Sequence, residues 1–327
     1  MIVTLSQGAE VDSVRRELAG LGLWVSSVER SQKGDVHIVV GRGSTAVDPS
    51  LIEKVRGVSS VSAPSSAHPL VDAHTASVDV GGYKIGPETP ALIAGPCSVE
   101  SEDQILRIAR AIAPHGVRFL RGGAFKPRTS PYAFQGHGRQ ALSWLRRAAD
   151  ATGMKVVTEV LSEQDVGAVA EHADLLQIGS RNMHNYALLK AVGRTTKPVL
   201  LKRSMAATVE EWLLAGEYLL NHGSRSVLFC ERGIRTFDDT TRNLLDLGAV
   251  ALLAHVHGLP VVVDPSHATG RRDLVRPLAR AAFAAGAAAV MVEVHDDPAH
   301  AESDGPQALS PSDLASIAKS AFSSEAA

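Results

Sequence analysis

The sequence has little cysteine, few aromatic residues and no excess of charge of either sign. Its two cysteines, Cys97 and Cys230, cannot build a disulfide framework, and such scarcity is typical of proteins from a reducing compartment. Aromatic residues make up 4% of the chain, and 33 Lys and Arg are balanced by 35 Asp and Glu. Because nucleic acids and anionic membranes attract proteins with a basic excess, we expect neither as a partner.

Two kinds of segment are also missing from the sequence. No stretch approaches the roughly 18 uninterrupted apolar residues that a membrane-spanning helix needs. The first residues, MIVTLSQGAEVD, lack the basic region and apolar run of a secretion signal. The 327 residues, 45% hydrophobic and 21% charged, are typical of a globular protein with one or two domains. We therefore expect a cytoplasmic protein.

Residues 1–66 predict a small domain of their own. The strand-like segments MIVTLS, LWVSSVER, DVHIVVG and SVSAPS are interleaved with two helical patterns, VDSVRRELAGLG and DPSLIEKVRGV. The second helix should begin after an N-cap at Asp48, with Pro49 at its first position. The order βαββαβ indicates a ferredoxin-like α+β domain. Residues 67–90 then predict a linker and a β-hairpin that turns at Gly81 and Gly82.

From residue 91 to residue 327, short apolar runs alternate with helical patterns. The runs predict strands at ALIAG, VRFLRG, KVVTEV, DLLQIGS, PVLLKR, SVLFCER, PVVVDPS and AVMVEV. Eight such strands, each followed by a helix over about 230 residues, are close to the size of a (β/α)₈ TIM barrel. A doubly wound open sheet is the structural alternative, because strand counts from sequence can miss one or two.

Each predicted barrel strand ends in an ionisable residue, and in a barrel these ends share one face. In chain order they are Cys97, Arg121, Glu159, Arg181, Lys202 with Arg203, Arg232, His267 and Glu293. Cations predominate, and Lys126 and Arg128 of the loop KPRTS add two more. Clustered cations require an anion to compensate them, and arginine suits phosphate and carboxylate oxygens. The face therefore predicts phosphorylated substrates, although any single arginine there is also compatible with a solvated surface charge.

Four other residues have the types that a divalent transition metal needs. Cys97, His267 and Glu293 end the first, seventh and eighth strands, which are neighbours in a closed barrel, and Asp304 follows on a loop. A thiolate, an imidazole and two carboxylates suit Mn²⁺, Fe²⁺, Co²⁺ or Zn²⁺. The spacing does not decide the matter, because a lone cysteine is more often a buried small hydrophobe. We interpret Cys230, inside the apolar run VLFC, as such a buried residue. His255, His257 and His295 are alternative candidates for the histidine ligand.

Nine motifs in order resemble those of a known enzyme family. They are AGPCSVES, FLRGGAFKPRTSPYAFQG, VVTEVL, QIGSRNMHN, PVLLKR, LFCERGIRTF, VDPSHATGRRDLV, VEVH and SDGPQAL. Together they resemble 3-deoxy-D-arabino-heptulosonate 7-phosphate (DAHP) synthase, of the type I-beta group, across essentially the whole chain. The resemblance implies condensation of phosphoenolpyruvate with erythrose 4-phosphate, the first step of the shikimate pathway. It also implies a TIM barrel preceded by a ferredoxin-like regulatory domain.

The resemblance assigns roles to residues by their match to the family motifs. Four residues match the metal ligands: Cys97, His267, Glu293 and Asp304, for Mn²⁺ or Fe²⁺, with Co²⁺, Zn²⁺ or Cd²⁺ as alternatives. The phosphoenolpyruvate contacts match Arg121, Lys126, Arg181, Lys202 and Arg232, and the erythrose 4-phosphate loop matches Pro127, Arg128 and Thr129. Glu159 would organise a water, and Lys126 would protonate the developing alkoxide. Ser180 and Ser204 depart from the family pattern without removing a charge.

Three alternatives stay open beside this interpretation. A 3-deoxy-octulosonate 8-phosphate synthase would share the barrel and phosphoenolpyruvate and use arabinose 5-phosphate, but that family usually has an asparagine-containing loop in place of KPRTS. A Schiff-base aldolase would use Lys202 as its nucleophile. A catalytically silent amino-acid sensor would need a missing metal ligand, and none is missing.

The first domain resembles modules that confer feedback inhibition by tyrosine or phenylalanine. A role limited to stability or oligomerisation is the alternative for this domain. The resemblance also implies a homotetramer and leaves room for a separate chorismate mutase as a partner.

Overall fold

The chain folds into two compact units, Met1–Ala67 and His68–Ala327. The computed structural model describes residues 1–31, 34–41, 43–62, 66–128 and 130–322, with side chains described as far as residue 318. The first unit contains a four-stranded sheet and the second a closed eight-stranded barrel. The predicted fold class is therefore confirmed in both parts, and the open doubly wound sheet is excluded.

The first unit has the βαββαβ order. Its elements are β1 (Ile2–Leu5), α1 (Val11–Gly20), β2 (Val25–Arg30), β3 (Val36–Val40), α2 (Pro49–Glu53) and β4 (Val58–Ser62). The sheet order is β2-β3-β1-β4, with antiparallel neighbours throughout. Val14 and Leu18 of α1 pack against Val3 and Ile38 of the sheet in one apolar core. The Asp48 carboxylate caps α2 by accepting the Ser50 backbone N–H at 2.9 Å.

The second unit begins with a short helix and a hairpin. These are α3 (Pro69–Asp72), β5 (Val78–Val80) and β6 (Tyr83–Ile85), with the turn at Gly81 and Gly82. Val78, Val80 and Ile85 are buried in the same cluster as the inward-facing apolar residues of the barrel strands. The Lys155 side chain, at the start of a barrel strand, lies against Gly81. The hairpin therefore closes the amino-terminal end of the barrel.

The barrel consists of eight parallel strands, each followed by at least one helix. The strands are β7 (Ala91–Gly95), β8 (Phe119–Arg121), β9 (Lys155–Val160), β10 (Leu175–Ile178), β11 (Val199–Lys202), β12 (Val227–Glu231), β13 (Val261–Val263) and β14 (Ala289–Glu293). The helices are α4 (Glu102–Ile112), α5 (Arg139–Thr152), α6 (Val166–His172), α7 (Tyr186–Gly193), α8 (Val209–Asn221), α9 (Leu247–Ala251), α10 (Pro265–Thr269), α11 (Arg272–Ala284) and α12 (Pro311–Phe322). Pairing of β14 with β7 closes the ring.

Alternation along each strand divides the barrel's side chains between two cores. Outward residues such as Leu92, Leu120 and Leu201 pack beneath the helices, whereas inward ones such as Ile93, Phe119 and Leu200 fill the barrel. Because side chains alternate with a period of two, the inward line of each strand continues to its carboxyl end. Among the described residues, no helix combines the length and the apolar character that crossing a membrane requires.

Gly95, at the end of β7, occupies a position that only glycine fits. Its φ is +149°, and a Cβ there would lie 2.0 Å from the backbone oxygen of Arg121 on β8. Its own carbonyl accepts the Val294 N–H at 3.0 Å. The close approach holds the first, second and eighth strands together at the carboxyl end of the barrel.

We expect Gly95→Ala to lower the free energy of unfolding by more than about 3 kcal/mol, because backbone strain of about 1–3 kcal/mol adds to the steric overlap. Gly153→Ala is the control: φ is +70°, but a Cβ would meet no atom within 4 Å. That variant should lose only about 1–2 kcal/mol. Urea denaturation of both variants measures the difference, and equal losses would contradict the packing argument.

Candidate active site

The carboxyl end of the barrel forms a recess lined mainly by charged side chains. They come from strand ends and from the loops that follow, and the lining residues are Lys126, Pro127, Arg128, Glu159, Gly179, Ser180, Arg181, Lys202, Met205, Arg232, Arg242, His267 and Asp304. Cys97 contacts Lys126 of this lining, Glu293 contacts His267, and Arg121 pairs with Glu293. Thr129, which the sequence also predicts here, lies outside the described residues.

Four residues at one side of the recess bring metal-binding atoms together. Sulfur, nitrogen and oxygen atoms of Cys97, His267, Glu293 and Asp304 all lie within 4.8 Å of one another. The Cys97 Sγ is 2.9 Å from Asp304 Oδ2, and the His267 Nε2 is 3.0 Å from Glu293 Oε1. An ion with bonds of about 2.0–2.3 Å sets its ligands about 3–4.6 Å apart. The cluster therefore fits a single divalent ion after small movements.

His267 is held on both sides by buried carboxylates. Its Nδ1 is 2.6 Å from Asp264 Oδ2, and its Nε2 faces Glu293 and Asp304. Burial alone would lower the pKa of His267, but the negative charges of Asp264 and Glu293 outweigh it and raise the pKa to about 10. Burial likewise would raise the pKa of Glu293, yet His267 and Arg121 hold it well below its ordinary value. A metal ion on Nε2 must therefore displace a proton.

Two cations, the half-buried Lys126 and the buried Arg121, contact this cluster. Lys126 Nζ donates to the Cys97 carbonyl at 3.1 Å and lies 2.9 Å from Cys97 Sγ. Burial lowers the pKa of Lys126, but Cys97 outweighs it, so the net shift is upward. Arg121 donates from one terminal nitrogen to Glu293 Oε1 at 2.8 Å. Its buried Nε has no hydrogen-bond partner among the described residues, which leaves a strong donor available for an anionic ligand.

Arg203 does not belong to the cationic lining, which corrects the sequence expectation. It follows Lys202 directly, and alternation turns it outward, where its guanidinium donates to Glu231 and Asp246. Lys202 and Arg232 both face inward and line the recess, with 4% and 6% of their surface exposed. Arg181 and Arg128 also line it. Of the expected strand-end cations, Arg203 and Arg121 are not among the lining residues, whereas the loop residue Arg242 is.

The rival ligands lie elsewhere in the barrel unit. His295 is buried, with its Nε2 3.0 Å from the Gln104 side chain, and His255 and His257 lie in and after the helical segment Leu252–Val256. Cys230 is fully buried among the inward apolar residues, as expected, and burial raises its pKa above that of a free thiol.

Three residues of the site were missed by sequence reasoning. Asp264 is the inward residue two positions beyond Val262 on β13, so alternation could have revealed it. Arg242 pairs with Asp304 at 3.3 Å, and the Gln307 amide donates to Glu293 Oε2 at 2.5 Å. Arg242 lies on a loop that reaches the site only through the tertiary fold, and no sequence pattern indicates it. Gln307 lies in the short 3-10 helix Gly305–Gln307, within the motif SDGPQAL that also contains Asp304.

The comparisons with known proteins agree with this geometry. The sequence matches the model of the DAHP synthetase I family over residues 69–325, most of the chain. The chain belongs to the DAHP synthetase I family. The resemblance seen in the nine motifs is thus confirmed, and the chain is an enzyme of the DAHP synthase class.

Two relatives and two solved structures extend the match. Phospho-2-dehydro-3-deoxyheptonate aldolase of Thermotoga maritima is 45% identical over 94% of this chain and 93% of its own length. Its crystal structure, titled a DAHP synthase, has a TM-score of 0.75 over 97% of this chain and 95% of that chain. A truncated Thermotoga maritima form has a TM-score of 0.70 at 47% identity, over 76% and 90% of the two chains. A 2-dehydro-3-deoxyphosphooctonate aldolase of Nitrobacter winogradskyi is 33% identical over 74% of this chain and 88% of its own.

Metal binding by this DAHP synthetase I family member is directly measurable. We expect one Mn²⁺ per chain in isothermal titration calorimetry. Loss of outer partners of a metal ligand already costs 10- to 100-fold in affinity, so Asp304→Ala, which removes a ligand, should cost more than about 100-fold. Asp296→Ala is the control, since Asp296 pairs with Arg107 and lies outside the cluster. Unchanged affinity in Asp304→Ala would remove Asp304 from the ligand set.

Proposed function

We propose that the protein condenses phosphoenolpyruvate with D-erythrose 4-phosphate and water, giving DAHP and inorganic phosphate, the first step of the shikimate pathway. One observation carries the proposal: the cluster of Cys97, His267, Glu293 and Asp304 borders the cationic recess. Lys126, which lines the recess, has its Nζ 2.9 Å from Cys97 Sγ of the cluster. An anionic substrate in the recess therefore has its reacting atoms beside the cluster. Family membership supports the same reaction.

Phosphoenolpyruvate is assigned to the inner cations. Lys202 and Arg232 line the recess from the ends of adjacent strands, and Arg121, which pairs with Glu293 of the cluster, has a buried Nε without a partner among the described residues. Arg181 and Lys126 complete the set. Planar guanidinium groups bind phosphate and carboxylate in paired hydrogen bonds, and phosphoenolpyruvate carries both groups. Two anionic groups on one small molecule account for more cations than a single phosphate needs.

Erythrose 4-phosphate is assigned to the loop that follows β8. Pro127 and Arg128 line the recess there, and Thr129, although outside the described residues, completes the family loop. Arg128 would bind the phosphate, so the aldehyde at the other end of the four-carbon chain points toward the cluster. Holding both substrates in this way fixes the two reacting carbons against each other, which is a large part of what an enzyme contributes.

Lys126 and Glu159 then donate and accept the protons that the reaction transfers. C3 of phosphoenolpyruvate forms a bond to the aldehyde carbon, and Lys126 donates a proton to the developing alkoxide. Water adds at C2 while Glu159 accepts one of its protons. As the C2–O bond to phosphate breaks, the C2 hydroxyl passes its proton to the departing phosphate and the C2 ketone forms, so that hydrogen phosphate leaves among Lys202, Arg181 and Arg232. The proton held by Glu159 then restores Lys126, so both groups return to their starting states. Glu159 faces this position from β9, where the Gln177 amide donates to its carboxylate at 3.1 Å.

A divalent metal held by Cys97, His267, Glu293 and Asp304 would supply Lewis-acid polarisation of the aldehyde. The donor set contains one sulfur, one nitrogen and two oxygens, which suits Mn²⁺ or Fe²⁺ and admits Co²⁺, Zn²⁺ or Cd²⁺. Asp264 supports the assignment of His267 as a ligand. Its carboxylate hydrogen bonds with His267 Nδ1, so that Nε2 is the nitrogen that would bind the ion.

The second substrate is the sharpest test, because octulosonate-type relatives also match this chain. We expect kcat/KM for erythrose 4-phosphate to exceed that for arabinose 5-phosphate by about 10- to 200-fold, the discrimination that pocket contacts provide. A phosphate-release assay with Mn²⁺ measures both substrates, and chelator-treated enzyme should release phosphate with neither. A preference for arabinose 5-phosphate would assign the chain to the alternative reaction.

We further propose that the first unit, Met1–Ala67, is a regulatory domain that binds tyrosine or phenylalanine and inhibits the barrel. Its βαββαβ fold supports this assignment, as does the fact that every residue of the proposed site belongs to the second unit. A homotetramer is the proposed assembly, with a chorismate mutase as a possible additional partner. The enzyme is proposed to act in the cytoplasm.

Deletion of residues 1–66 should leave a barrel that retains activity and is no longer inhibited by aromatic amino acids. The reason is that every residue of the proposed site lies in the second unit. Steady-state rates of the full chain and the truncated chain, each with and without tyrosine and phenylalanine, provide the measurement. Inhibition that survives the deletion would exclude the regulatory role, and loss of all activity would favour a role in stability or assembly.

A further inference from the structure

Asp264 lies where the proposed metal cluster and the anion-binding recess meet, although it belongs to neither. Its side chain has no exposed surface. Its Oδ2 accepts from Lys202 Nζ and from His267 Nδ1, the latter at 2.6 Å. Its Oδ1 accepts the His267 backbone N–H at 3.0 Å, as the N-cap of α10. One carboxylate thus holds a side chain of the recess and both the backbone and the ring of a proposed metal ligand.

The contact to Nδ1 decides which ring nitrogen His267 offers to the cluster. A neutral imidazole carries one proton, and a carboxylate at Nδ1 keeps the proton there. Loss of the other proton, from Nε2, would then make that nitrogen available as a ligand; it lies 3.0 Å from Glu293 Oε1 and 3.9 Å from Asp304 Oδ2. Because the backbone contact also fixes the start of α10, the ring's position as well as its tautomer depends on Asp264.

Lys202 in turn fixes Asp264. In the described part of the chain, Asp264 is the acidic partner of Lys202 and of the His267 Nδ1, and no second acidic side chain pairs with either atom. The Asp264 backbone N–H donates to the Glu231 carbonyl at 2.8 Å, which anchors the residue between β12 and β13. The carboxylate is therefore held from three directions and has no freedom to release His267.

We propose that Asp264 is a positioning residue that presents His267 Nε2 to the metal and ties this ligand to Lys202 of the recess. The inference rests on the metal site of the proposed function and adds a residue that the site itself does not contain. Asp264 touches neither the ion nor the substrates. Its effect should therefore be seen in metal affinity and in ligand geometry even without turnover.

Asp264→Asn tests the proposal because the amide keeps the size of the carboxylate and removes its charge. We expect the Mn²⁺ affinity of the full chain to fall 10- to 100-fold, the usual cost of losing an outer partner of a ligating histidine. Asp264→Ala, which also loses the acceptor for Nδ1, should fall further. With Co²⁺ as the probe, the visible d–d absorption should shift in Asp264→Asn, since an amide oxygen accepts from Nδ1 more weakly than a carboxylate and makes the imidazole a weaker ligand.

Asp246→Asn is the matched control. Asp246 is also an N-cap aspartate, accepting the Ala249 N–H at 2.9 Å, and it also pairs with a buried cation, Arg203, at 2.9 Å. It contacts no member of the cluster. Its replacement should change stability as much as a lost cap does, about 0.5–2 kcal/mol, while Mn²⁺ affinity stays within twofold and the Co²⁺ spectrum is unchanged. Circular dichroism confirms that each variant is folded at the temperature of titration.

The outcomes separate this inference from the proposed function. A wild-type chain that binds neither Mn²⁺ nor Co²⁺ would overturn the metal site and this inference together. Wild-type binding with Asp264→Asn within twofold would overturn the inference alone. Equal losses in Asp264→Asn and Asp246→Asn would assign the effect to general destabilisation and also reject the positioning role.

Discussion

The site depends on one constraint: charges that are removed from water at the carboxyl end of the barrel must be compensated by one another. Glu293 has no exposed surface, and its carboxylate is shared by Arg121, His267 and the Gln307 amide. Asp264, equally buried, is shared by Lys202 and His267. Leaving one such charge unpaired costs several kcal/mol. The positions of the cations are thus set by the acids before any substrate arrives.

This compensation explains how the same residues can be both rigid and reactive. Arg121 uses a terminal nitrogen for Glu293 and leaves its Nε unpartnered. The raised pKa of His267 means that a proton occupies the place that a metal would take, and exchange of one for the other preserves positive charge beside Glu293 and Asp304. The proposed metal and anionic substrates would therefore enter a network that is already arranged, and they would replace partners without creating unpaired charges.

Much of this arrangement could be predicted from the sequence, and the failures have physical reasons. Eight strands each ending in an ionisable residue predicted the barrel and the face of the site, because parallel strands bring like ends together. Arg203 was misplaced because all residues at a strand end were expected to face the recess. Adjacent side chains point to opposite faces of a strand, so Lys202 faces inward and Arg203 outward. Asp264 was missed for the same reason. His267 was taken as the end of the seventh strand, although Asp264, directly after β13, is the next residue that faces inward. Arg242 belongs to a loop whose path is fixed only by tertiary contacts.

The division between strand and loop also bears on substrate choice. Relatives named for a heptonate and for an octonate both match this chain, at 45% and 33% identity. Strand-borne residues such as Arg121 and Glu293 are constrained by mutual compensation, so a change in one leaves another charge buried and unpaired. Loop-borne cations such as Arg128 and Arg242 are not buried, and they can change without that cost. Chemistry common to the relatives should therefore reside on the mutually compensated charges at and just beyond the strand ends, and the exposed cations of the loops around the recess should set the length of the accepted sugar.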